Sequence, residues 1–188
     1  MVRWWPVAAL AAMTLLGLAV GRGSTALDDR FQELGQTHRL LGRLLVFTDG
    51  RVTLTLWALL LAVVVIRQRW RLTAVVAAAP PVGVLLSRLA KRAFGREKDG
   101  AMAYPSGHTT LAVIVFGLAV LIAGAATWVV VAAMVATLLG VLGQGVSYHY
   151  FTDAVGAVFL GTAVLCLAVW AAGLDRCQPR CDVDHRSG

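Results

Sequence analysis

The chain has 188 residues, 59% of them hydrophobic and only 14% charged, with a mean hydropathy of +0.75. Soluble domains average roughly 45–50% apolar and about 25% charged, so the composition excludes a disordered chain and argues against a soluble globular domain. Three cysteines are too few for a disulfide scaffold. The net charge is +7, but the basic residues sit in short breaks between apolar runs, which points to lipid headgroups or an anionic substrate rather than nucleic acid. The expected class is an all-α integral membrane protein.

A hydrocarbon core of about 30 Å needs roughly 20 helical residues. The first uncharged run covers residues 4–21, between Arg3 and Arg22. It has the basic flank and apolar centre of a signal peptide, but no small-x-small cleavage site follows. Gly17 and Gly21 form one small-xxx-small pair on it, a pattern used in close helix contacts. Residues 22–51 make the one sizeable loop. There Leu27, Phe31, Leu34, Leu41, Leu44 and Leu45 recur at near-helical spacing among Asp28, Asp29, Arg30, Glu33, Arg39 and Arg43. That pattern predicts an amphipathic interfacial helix.

Residues 52–66 are the second run, short enough that Arg51 and Arg67 would snorkel at its ends. Residues 72–87 are the third, with Pro80 and Pro81 predicting a kink. From residue 101 up to Asp153 there is no charged side chain. That stretch fits two helices with a turn near residues 124–127. Residues 154–174 are the last run. The expectation is a six-transmembrane-helix bundle over residues 1–174 and a polar tail over 175–188. Six crossings place both termini on one side. Termini inside would put seven basic residues there against ten opposite, so charge leaves the orientation open.

Three segments carry candidate chemistry. Lys91, Arg92, Arg96 and Lys98 cluster with Glu97 and Asp99 after the third run. They form a solvated anchor or a phosphate cradle, since Lys and Arg are the usual partners of phosphate oxygens. Pro105, Ser106, Gly107 and His108 precede the fourth run. Ser106 has the character of a helix N-cap, Gly107 allows close backbone approach, and a helix N-terminus favours an anion. His108 is then a structural boundary histidine or an acid–base group. His149 and Asp153, four apart, share one helical face. A carboxylate on one imidazole nitrogen leaves the other free for nucleophilic work. The alternative is a polar pair packed between helices. With alternating spans, all three segments fall on one membrane face, and together they suit phosphoryl transfer.

In order and spacing these segments resemble the type 2 phosphatidic acid phosphatase superfamily, which includes the vanadium haloperoxidases. That family carries Lys, six residues, Arg-Pro; then Pro-Ser-Gly-His; then Ser-Arg, five residues, His, three residues, Asp. The second motif matches in full, Lys91 opens the first, and His149 and Asp153 end the third. Lys98-Asp99 stands in place of Arg-Pro, and Leu142-Gly143 in place of Ser-Arg. The resemblance implies a multi-pass cell-membrane lipid phosphatase without metal or cofactor, with its site on the outer face and its termini in the cytoplasm. It makes His149 the nucleophile, Asp153 its support, and His108 the acid and then base. Lys91, Lys98, Ser106 and the Gly107 N–H would hold phosphate oxygens. Arg88, Arg92 or Arg96 would stand in for the missing arginine, or Arg43 or Arg51 from the loop. The implied partners are the bilayer and a lipid carrying a phosphomonoester or pyrophosphate; no nucleic acid is expected.

Other readings compete. A family member without turnover would bind a lipid phosphate or a protein. His108, His149 and Asp153 could form a two-His, one-carboxylate metal site, against which the basic cluster argues. A transporter or channel would suit the glycine-rich helices, but the sequence shows no repeat and no charge inside the spans. Cys166 reads as packing. Cys177, Cys181 and His185, with Asp182 or Asp184, have zinc-like spacing, against a plain reduced tail.

Overall fold

The computed structural model describes residues 4–171 and residue 173. The expected tail, with Cys177, Cys181 and His185, lies outside the described residues. Seven α-helices follow in order: α1 (Trp5–Val20), α2 (Ala26–Thr37), α3 (Gly50–Ile66), α4 (Trp70–Phe94), α5 (Gly107–Ile122), α6 (Thr127–Ser147) and α7 (Phe151–Ala171). A 3-10 segment (Arg39–Thr48) precedes α3, and a two-strand hairpin, β1 (Glu97–Lys98) with β2 (Ala101–Met102), joins α4 to α5. Four helical stretches are long and apolar enough to cross a membrane: Arg39–Ile66, α4, α6 and α7. α1 and α5 are apolar but shorter, at 16 residues each. Leu15, Leu18, Leu59, Ile66, Val131 and Met134 all face outward, an apolar surface suited to hydrocarbon rather than water.

α5 lies at the centre, in contact with α3, α4, α6 and α7. Its Ile114, Val115 and Leu118 are fully buried. Helices approach closely where glycine removes a side chain: a Cβ on Gly161 of α7 would stand 2.8 Å from Val113 of α5. α4 runs as one helix through Pro80 and Pro81. Pro80 lacks the N–H that would reach the carbonyl of Val76. The indole N–H of Trp57 on α3 donates to that carbonyl instead, at 2.7 Å. The freed backbone acceptor thus becomes a link between two helices.

The loop over residues 22–51 departs from a free interfacial helix. It breaks at His38 into α2 and the 3-10 segment, and both dock on the bundle. Phe31 of α2 stacks on Phe151 of α7 with centroids 4.1 Å apart. The 3-10 segment lies along a strip of α6 that Gly140 and Gly143 keep bare. A Cβ on Gly143 would fall 2.5 Å from the Leu44 carbonyl carbon, and one on Gly140 2.7 Å from Thr48 Cγ2. Asp28, expected among the charges of an amphipathic helix, is fully buried.

Tyr104 closes the bundle at the hairpin end. Its buried ring lies against Gly17 of α1 and Gly156 of α7, and its hydroxyl donates to the Met13 carbonyl. Gly17 therefore accommodates an aromatic ring. At this end the C-termini of α1, α4 and α6 meet the N-termini of α5 and α7.

Candidate active site

The hairpin brings the first segment to the site. α4 ends at Gly95 in the left-handed region, φ 60°. Asp99 and Gly100, with φ 51° and 76°, form the turn. Both central residues take positive φ, as a tight hairpin requires, and Asp-Gly is a preferred pair for it. The turn sends Lys98 back over the bundle. Its Nζ donates to the His149 carbonyl at 3.3 Å and lies 5.2 Å from the centre of the Tyr150 ring. Burial pulls the Lys98 ammonium below the usual lysine value, while Asp99, Asp153 and Asp28 pull it back up. Lys91 on α4 donates to the Met102 carbonyl of β2.

Ser106 caps α5. Its Oγ accepts the Thr109 N–H at 3.4 Å, and Ser87 of α4 supports the turn by donating to the Pro105 carbonyl at 3.1 Å. Ser106 is fully buried, so its hydroxyl serves the helix rather than reaching a ligand directly. Gly107 and His108 occupy the first turn, and His108 is exposed. Its ring centre lies 6.3 Å from that of Tyr148, which lies 5.8 Å from that of His149. Lys91 and His149 are both within electrostatic reach of His108.

The α6–α7 turn carries His149. Asp153 stands in the first turn of α7, and its Oδ2 accepts the Tyr150 N–H at 3.2 Å, as a residue in that turn does in a capping box. The same Oδ2 lies 3.6 Å from His149 Nδ1, which has no hydrogen-bond partner. His149 also lines a cavity of about 250 Å³ with Lys98, Asp99, Met102 and Tyr148. The structure thus brings Lys91, Lys98, His108, His149 and Asp153 to one end of the bundle.

The arginines behave differently. Arg96 is fully buried, and all five of its N–H groups are engaged. Nη1 donates to Asp153 Oδ1 and Thr152 Oγ1, each at 2.7 Å. Nη2 donates to Asp28 Oδ2 at 2.7 Å and to the Gly23 carbonyl at 2.8 Å, and Nε to Gly23 at 3.0 Å. A guanidinium so placed has no donor left for phosphate, which removes Arg96 as the substitute. Arg88 and Arg92 are exposed on α4 and enter no ion pair among the described residues. At position 143, the place of the family's third-motif arginine, the backbone of Leu44 and Leu45 fills the space.

Asp28 was not among the expected site residues. Its Oδ1 accepts the Thr152 N–H at 3.0 Å and so caps α7 from another element. Burial works to raise its pKa, and hydrogen bonds from Thr152, Arg96 and Thr25 overcome that and hold it below the ordinary carboxylate value. Thr25 and Asp28 are three apart and form a capping box on α2, a signal present in the sequence. Tyr148 was missed because no local pattern marks it, and Thr152, within the His149–Asp153 segment, gave no local sign of its ties to Asp28 and Arg96. Comparison with family models, with curated proteins and with solved structures gives no match.

Proposed function

We propose that the chain is a six-span membrane phosphatase that hydrolyses the phosphomonoester or pyrophosphate of a membrane lipid. The supporting observation is His149, which lines the cavity with Lys98 while its Nδ1 lies 3.6 Å from Asp153 Oδ2. In this reading Nε2 attacks phosphorus, a P–N bond forms, and the P–O bond to the lipid breaks. His108 gives its proton to the leaving oxygen. It then takes a proton from water, which attacks phosphorus and releases His149 and phosphate. Asp153 supports the imidazolium. Lys98, Lys91 and the free N–H groups at the start of α5 hold the phosphate oxygens. The site would face the cell exterior, with both termini inside.

A second reading has its own observation. Position 143 is glycine, so the third-motif arginine of the resembled family has no counterpart there, and Arg96 is fully engaged and cannot substitute for it. A protein that binds a lipid phosphate without turnover fits that loss. Purified protein in detergent, with chelator, decides between them. The substrates are phosphatidic acid, phosphatidylglycerol phosphate, and polyprenyl mono- and pyrophosphates. Phosphate release that falls at least a thousandfold in His149→Ala is expected, since that variant lacks the nucleophile (~10³ or more). Binding with no release from any substrate selects the second reading.

A further inference from the structure

Asp28, Arg96 and Asp153 form a buried row: Asp28 Oδ2 to Arg96 Nη2 at 2.7 Å, and Arg96 Nη1 to Asp153 Oδ1 at 2.7 Å. All three side chains are fully buried, so water screens none of these charges. A lone guanidinium against Asp153 would neutralise the carboxylate that faces His149. The second carboxylate changes that balance. Two negative charges and one positive leave the row with one net negative charge, and Asp153 is the member that faces the imidazole. We propose that Asp28 is the counter-charge that leaves Asp153 free to act on His149.

This inference rests on the reading of His149 as a nucleophile and deepens it. Asp28 touches no substrate in it and is a positioning residue, acting through Arg96 and Asp153. The geometry serves the same end. Asp28 accepts the Thr152 N–H at 3.0 Å and the Thr152 hydroxyl at 2.9 Å, which fixes the first turn of α7 from which Asp153 projects. Around His149 stand Lys98 from the hairpin and Gln32 from α2, which both donate to its carbonyl, its chain neighbours Tyr148 and Tyr150, and His108 across Tyr148. None of them would replace the charge of Asp28 on Arg96.

The test reads the reactivity of His149 itself, so it stands whether or not the protein turns over a lipid. Purified protein in detergent is treated with diethyl pyrocarbonate at pH 8. The rate of carbethoxylation at His149 is followed by peptide mass spectrometry, with exposed His38 as internal control. In Asp28→Asn the Arg96 charge is unopposed, Asp153 is offset, and the imidazole becomes a poorer nucleophile. Its rate is expected to drop about threefold to tenfold, by the charge–charge coupling of near neighbours. The double variant Asp28→Asn/Arg96→Gln removes both charges and should recover most of the native rate. A purely structural role predicts the reverse, with the double variant worse than the single. Native reactivity in Asp28→Asn, or no recovery in the double variant, overturns the proposal. If Asp28→Asn loses its cooperative unfolding transition, a double variant that regains both folding and the native rate supports it. A double variant that remains unfolded overturns it.

Discussion

Gly143 stands where the resembled family would place a phosphate-binding arginine. Adding that arginine looks like repair, but the packing argues otherwise. Even a Cβ there would sit 2.5 Å from backbone of the 3-10 segment, which cannot swing aside as a flexible side chain would. Gly143→Arg is therefore expected to destabilise the protein by about 1–3 kcal/mol, as overpacking does, and to lower the thermal midpoint in detergent without raising phosphate release. A variant with an unchanged midpoint and faster release would show that the segment yields and that the site had merely lost an arginine. Lys98 makes the contrasting case. It stands where the resembled family has arginine, keeps the positive charge, and lines the cavity with His149, though it lacks the bidentate fork.

At the scale of elements, one carboxylate of α2 carries three ties, beside the Phe31–Phe151 stack and the Gln32 bonds to the Gly145 and His149 carbonyls. Asp28 caps α7, closes the capping box of its own helix and pairs with Arg96. Its folded pKa is held below the ordinary 3.8. Above that value the carboxyl is ionised in both folded and unfolded chains, and its stabilisation is complete. As pH falls below 3.8 and then through the lower folded value, the proton binds and the stabilisation goes. The thermal midpoint of the native protein should therefore hold steady on this account above about pH 5 and fall in the acid limb. Asp28→Asn should start lower by about 3 kcal/mol, since Arg96 loses a buried partner, and show a shallower acid limb. Equal slopes in the two proteins would mean that other carboxylates set the acid response. The α4 boundary follows a different logic. The uncharged run stops at residue 87, yet the helix continues to Phe94 through Arg88, Lys91 and Arg92. Charge ends a hydrophobic run; Gly95 ends the helix.

For the whole molecule, what could be read in advance was local. The apolar runs marked the helices, Gly124 and Ala125 turned where a turn was expected, and Ser106 capped α5. The His149–Asp153 spacing put both at one turn. What could not be read was non-local. The buried row joins residues 68 and 57 positions apart, and no periodicity encodes such a partnership. The strip formed by Gly140 and Gly143 acquires meaning only once the 3-10 segment lies on it. Orientation across the bilayer decides where a substrate would be met. α4 has 25 residues, about 37 Å at 1.5 Å each, so its two ends cannot both lie at one surface if it crosses the bilayer. With native cysteines changed to serine, a single cysteine at Asp99 marks the site end and one at Arg69 the other. An outward-facing site requires Asp99→Cys to react with an impermeant maleimide on intact cells, and Arg69→Cys to react only after permeabilisation. The opposite pattern would put the site on the cytoplasmic face and restrict its substrates to lipids of the inner leaflet. Labelling of both from outside would mean that α4 does not cross at all, and the proposed six-span arrangement would fall with it.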